Sequence, residues 1–487
     1  MDKRLSTNIL ERLPGGGRLN DAAGTRGYLS RDRSLVILAV VIFVTLYQWV
    51  YISWLSPVWG YMGFAYNVPS IGPLSLGCAL AVLPSLWMPL VIVRPSQLIY
   101  WLIFVTVYVP SLFVPMFAAL VPEWEVVQLM CALFVGFAIM GLSYQRPLFR
   151  IKRITESRLI FWYGMASITL GLVMWVIVVY SDHFKLVSFG AVYEEIRLVS
   201  GLVAQGTGVS YAITLLSGAI LPFFLALALY RKNWLMFLAG VAGEVMLYAA
   251  TGGKANILAI LFVPGIYFLL SGKVAKFGVR LMAGVIALLF MVGALNLVFG
   301  DDQPDFFQSF SSVAVMRTLG IPGLATAHYQ KFFSTHPLTY FSHVKGVNVI
   351  FEYPYDRSLG EEVGFDIYNS DEVDWNANFW ATDGLAALGI LGVLVISIIC
   401  GLVFWLLDSC ASEHDPVFAG TICCYAAANI GNTSLFTSFV SGGLGFLVLL
   451  FFLMPKDIAK DRKQPKPTQS KIPVASLQPR PLGSTLT

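Results

Sequence analysis

Long apolar stretches alternate with short polar segments along almost the whole chain, and neither strict period-two alternation nor an amphipathic period dominates. In lipid every backbone amide must be satisfied within its own segment, so roughly 17 to 25 apolar residues in a row read as a membrane-crossing helix. On that rule the chain is an all-α polytopic membrane protein with about twelve transmembrane helices. They are expected near 35–55, 73–93, 99–121, 125–143, 159–180, 209–229, 234–251, 255–271, 281–299, 378–407, 417–432 and 435–454. The final pair comes from one apolar stretch, split near Gly431-Asn432-Thr433-Ser434.

Three regions follow. Residues 1–34 and 456–487 are expected to be disordered tails, the first carrying Gly15-Gly16-Gly17 and the second rich in Pro, Lys and Ser. Residues 35–455 form the membrane domain, with long loops at 181–208 and 300–376, the larger lying between spans nine and ten. A loop of that size is usually functional.

Composition sharpens this picture. Of 487 residues, 57% are hydrophobic and 12% charged, about half the ~25% charged share of a soluble domain. The net charge is only +4, so nucleic acid is not a partner, and the lipid bilayer is. Orientation follows from Lys and Arg: with the N-terminus inside, 25 of the 32 basic residues fall on the inner side. Both termini are then cytoplasmic, and the two long loops are periplasmic in a bacterial inner membrane. The acidic residues Asp408, Glu413 and Asp415 run against this trend, in a segment read as an inner loop. All six cysteines fall in spans or in that loop, which implies no disulfide framework.

The chemistry is expected in the outer loops. Residues 300–376 hold eleven carboxylates against four basic residues, together with many aromatic rings. Rings and carboxylates suit the apolar faces and hydroxyls of sugars, or else they pack and solvate the loop. Outer cations are sparse: Lys185, Arg197, Lys254, Arg317, Lys331, Lys345 and Arg357. Arg197 could bind phosphate through its bidentate fork, or pair with Glu194 or Glu195. Lys254 follows Gly252-Gly253 at a helix start, an anion site or simply a lysine reaching the headgroups. His328, His336 and His343 offer general bases, and their spacing matches no metal-ligand set. Glu244 lies inside span seven, where an ionisable group suggests function or a neutral bonded carboxyl. No Gly-rich strand-turn-helix unit is present, so a nucleotide donor is not expected.

The order of features resembles the Wzy-type O-antigen polymerases, the bacterial oligosaccharide repeat-unit polymerases, over roughly residues 30–455. The residues that carry the resemblance are Tyr193-Glu194-Glu195-Ile196-Arg197; Thr251-Gly252-Gly253-Lys254-Ala255-Asn256; Met316-Arg317; Tyr340-Phe341-Ser342; and Asn376-Ala377-Asn378-Phe379-Trp380-Ala381-Thr382-Asp383-Gly384 followed by Gly389 and Gly392. Some members carry Arg-x10-Gly in two outer loops; Arg197 and Gly208 fit it, whereas the residue eleven after Arg317 is His328. The resemblance implies a membrane glycosyltransferase without metal or other cofactor, joining undecaprenyl-pyrophosphate-linked oligosaccharides at the periplasmic face. Partners would be that lipid-linked substrate and a chain-length regulator and flippase of the same pathway. Arg197, Lys254, Arg317 and Arg357 would bind the pyrophosphate. The base would be His328 first, then Asp383 or Glu361. An O-antigen ligase acting on lipid A core and a flippase or transporter are the alternatives.

Overall fold

The computed structural model describes residues 22–146, 148–149, 157–187, 196, 198–204, 207–272, 277–300, 302–370, 373–456 and 458. All regular structure among them is helical. The helices used below are α1 (Arg31–Met62), α2 (Ile71–Leu86), α3 (Pro95–Ala118), α4 (Glu123–Gln145), α5 (Arg158–Tyr180), α6 (Val209–Arg231), α7 (Trp234–Thr251), α8 (Lys254–Ser271), α9 (Phe277–Phe299), α10 (Ile321–Thr335), α11 (Leu359–Tyr368), α12 (Trp380–Ala411), α13 (Pro416–Asn432) and α14 (Leu435–Leu453). Ten of them are long and apolar enough to cross a membrane. The remaining two expected spans are the shorter α2 and α13, whereas α10 and α11 belong to the large loop. The described residues thus form an all-α polytopic membrane protein.

α3 is the central helix and is almost entirely enclosed, while α5 is the most exposed to the surroundings. Enclosure of α3 rests on close aromatic stacking: Tyr100 lies 4.0 Å from Phe137 of α4, and Tyr108 4.5 Å from the same ring. α2 stops earlier than its apolar run, where Pro89 has no amide to donate to the Ser85 carbonyl. The freed carbonyls of Ser85 and Met88 accept from the Arg33 guanidinium, both at 2.7 Å.

The three acidic residues that opposed the charge trend each have a structural task. Asp408 is not in a loop, since α12 continues past it. It is buried and accepts from the Ser96 amide (3.0 Å) and hydroxyl (2.6 Å), which caps the first turn of α3. Asp415 caps α13 through the amides of Val417 and Phe418. Glu413 pairs with Lys456 at 2.6 Å.

The tenth expected span, 378–407, is not one straight helix. Leu388 and Gly389 leave helical geometry, Gly389 with φ of 62°. A Cβ on Gly392 would lie 2.0 Å from the Gly384 carbonyl oxygen. In a straight helix residues eight apart are separated by roughly 12 Å, so the chain must fold back on itself at this point. Trp380 Nε1 donates to Ser397 Oγ at 2.8 Å, the same distance along each arm from the turn. The motif 376–392 therefore encodes a re-entrant hairpin, whose arms meet only because positions 384 and 392 lack side chains.

The large loop also enters the helical body. A Cβ on Gly323 of α10 would lie 2.4 Å from the Pro110 carbonyl oxygen, and Pro110 sits eight residues short of the end of α3, roughly 12 Å below its tip. Ser111 Oγ and Thr326 Oγ1 are 3.1 Å apart, and Asn378 Nδ2 donates to Thr326 Oγ1 (2.8 Å) and the Pro322 carbonyl (3.0 Å). These buried polar groups fasten α10 to α3 and to the base of the hairpin.

Candidate functional site

Asp383 lies on a π-helical stretch, Trp380–Leu385, in the first arm of the hairpin, and it is fully buried. Extra residues in a turn of this kind push one side chain out of register, and such turns often mark functional positions. Asp383 accepts from the Ser434 hydroxyl at 2.7 Å and the Leu435 amide at 2.5 Å, where α13 passes into α14. Its third partner is His343 of the large loop, whose Nε2 lies 3.2 Å from Oδ1.

The opposite ring nitrogen of His343, Nδ1, is 2.8 Å from Thr339 Oγ1. The buried Thr339 hydroxyl also lies 3.1 Å from the Ala386 carbonyl oxygen. Amides of Thr339 and Tyr340 donate to the carbonyls of Ala386 (2.8 Å) and Ala387 (3.1 Å) at the hairpin tip. Thr339 can therefore donate to the carbonyl while accepting from Nδ1, or donate to Nδ1 instead. Both ring nitrogens of His343 thus lie within reach of a hydrogen-bonding oxygen. Directly after this clasp, Tyr340 and Phe341 adopt φ of 49° and 65°. Two consecutive left-handed residues other than glycine cost about 1–3 kcal/mol each and persist only where surrounding bonds impose them.

The other sequence candidates are dispersed. His328, the first-ranked base, is buried on α10, edge-on to Trp375 with centroids 5.5 Å apart. Its Nε2 faces Gly63, whose added Cβ would lie 3.0 Å away, and has no hydrogen-bond partner. Burial, and then Lys331, push its pKa down to about 4, so it is a weak base near neutral pH. Glu361 is exposed and closes the α11 capping box, accepting from the Ser358 amide at 3.0 Å. Arg357 lies 3.6 Å from Glu362 and over the Phe365 ring at 4.0 Å. Arg317 is exposed on the π-helical stretch Ser312–Gly320, which leads into α10. Lys254 opens α8 after the N-cap Gly253, itself preceded by Gly252, which takes the left-handed cap position of α7 with φ of 66°. Arg197, and most of the segment around it, lies outside the described residues.

His336 stacks on Phe332 at 4.0 Å and closes the end of α10 through the Phe332 carbonyl. All six cysteines are free. Among the described residues no group of three His, Cys, Asp or Glu side chains stands close enough to hold a metal ion. Glu244 is fully buried in α7, and neither carboxyl oxygen has a hydrogen-bond partner.

The sequence pointed to Asp383 and to the loop histidines as a set. It carried no signal that pairs position 383 with 343, 339 and 434, because those segments meet only through the fold. No family model, curated protein or solved structure matches the chain significantly.

Proposed function

We propose that this protein is a membrane glycosyltransferase that joins undecaprenyl-pyrophosphate-linked oligosaccharide units into a bacterial surface polysaccharide, on the side of the membrane that carries the large loop. The observation that carries the reading is the His343–Asp383 pair, 3.2 Å apart, where that loop meets the re-entrant hairpin. It supplies an acid–base group at the membrane boundary, where a lipid-linked sugar would present its anomeric carbon.

In the proposed reaction an acceptor hydroxyl takes the Thr339 position at His343 Nδ1 and attacks the anomeric carbon of the donor. The new C–O bond forms as the bond to pyrophosphate breaks. The electron pair leaves with undecaprenyl pyrophosphate, and the acceptor proton passes to His343. Asp383 holds the ring and stabilises its charged form. The sequence's candidate cations Lys254, Arg317 and Arg197 are the groups to offset leaving-group charge.

An O-antigen ligase would use the same donor chemistry with lipid A core as acceptor. The carrier reading has one observation in its favour, the partnerless carboxyl of Glu244 within a span. Asp383 and Asp408, also buried, are both fully occupied by neighbours.

Purified protein in vesicles, given lipid-linked repeat units and neither nucleotide nor metal, should yield a ladder of lengthened lipid-linked glycan. Transfer only to lipid A core would favour the ligase. Movement of substrate between leaflets with no new glycosidic bond would overturn the enzyme reading.

A further inference from the structure

The large loop carries a compact turn that none of the described residues covers. Val349 is 87% exposed, Ile350 76%, Tyr340 54% and Phe351 50%. The turn is closed by its own backbone, with the Ile350 and Phe351 amides donating to the Val347 carbonyl at 2.9 and 3.1 Å. Tyr340 and Phe351 face one another with centroids 6.5 Å apart. Four apolar or amphipathic side chains displayed on one tight turn are costly in water, so this patch has an occupant.

The fold indicates which one. Lys345 Nζ lies 3.4 Å from the hydroxyl of Tyr211, the third residue of α6. Tyr211 is itself exposed, at the end of a membrane-crossing helix. Tyrosine and lysine at such an end sit at headgroup depth, the ring toward the acyl chains and the polar tips toward phosphate. The turn therefore leans on the point where the lipid-facing surface of the protein emerges, and its apolar side chains extend that surface.

We propose that residues 340–351 form a membrane-interface anchor, with Tyr340, Val349, Ile350 and Phe351 inserted among lipid headgroups and Lys345 paired with their phosphates. This does not depend on the glycosyltransferase reading. It gives the turn a role for any lipid-borne ligand, because His343 lies within the anchored segment and is held at the same surface.

The test is spin-label accessibility in vesicles of phosphatidylcholine and phosphatidylglycerol. Ile350→Cys is labelled in a Cys78→Ala, Cys131→Ser background, in which the remaining four cysteines are buried. Ile168→Cys on exposed α5 supplies the lipid reference, and Asp356→Cys, exposed in the loop, the aqueous one. The anchor requires position 350 to favour oxygen over a water-soluble nickel complex several-fold, as at 168. A profile like that at 356 would overturn it, as would protection from both reagents, which would mean that protein covers the patch. Glycan-joining activity is not read, so failure of the anchor and failure of the proposed enzyme function are separate results.

Discussion

Asp383 Oδ1 is shared by His343 Nε2, at 3.2 Å, and by the Ser434 hydroxyl, at 2.7 Å. One carboxylate thus ties the large loop, the re-entrant hairpin and the α13–α14 junction together. The same contact that orients the imidazole also holds the loop on the membrane domain, so the two roles must be separated by choice of substitution.

His343→Gln should keep most of the clasp, because an amide can still bond Asp383, and the variant should fold. Glycan joining should fall by about 10²–10⁴-fold, the usual contribution of a general base. Asp383→Ala should instead reduce the amount of folded protein, since it leaves the buried Leu435 amide without an acceptor, at about 1–3 kcal/mol, and removes the acceptor of the half-buried Ser434 hydroxyl. Glycan ladders normalised to folded protein separate the cases. Full activity in His343→Gln would remove the residue from the chemistry.

The hairpin makes a sharper structural demand. Gly392→Ala places a methyl group 2.0 Å from the Gly384 carbonyl oxygen, which backbone cannot yield, so folded protein in detergent should be lost. Gly389→Ala forces an alanine into φ of 62° with ψ of −144°, a region that in practice only glycine adopts, and should destabilise the protein by about 1–3 kcal/mol, read as a lower melting temperature. Gly284→Ala on α9, where a Cβ meets nothing within 4 Å, should have little effect. Equal behaviour of all three in size-exclusion and thermal assays would rule out the folded-back geometry.

His328 predicts an acid-sensitive stability. Its pKa is pushed down from 6.5 to about 4, chiefly by burial, so between those values the unfolded chain binds a proton that the folded protein does not. Stability from this residue is present above about pH 6.5 and is lost as pH falls toward 4. The full span amounts to roughly 3 kcal/mol. His328→Phe should flatten the melting temperature between pH 7 and pH 5 relative to the parent. An unchanged slope would mean that other groups govern the acid response.

What sequence determined here is the all-α polytopic class, the placement of most of the long apolar helices and the set of residues available for chemistry. Apolar run length decides the first, because unpaired amides are not tolerated in lipid. α1, α3 to α9 and α14 fall close to where hydropathy placed them. Asp383, Gly384, Gly389 and Gly392 stood out as a motif, but hydropathy read the stretch as one span, since folding back leaves apolar content unchanged. Only tertiary structure turned that run into a hairpin, through contact between two positions without side chains. Likewise only tertiary structure chose among the loop histidines. His328 and His343 are equivalent in composition and sidedness, yet one is enclosed beneath Trp375 with a partnerless nitrogen and the other lies between a carboxylate and a hydroxyl. Partner identity in a polar site depends on which distant segments the packed helices bring within 3 Å, and spacing along the chain carries no record of that.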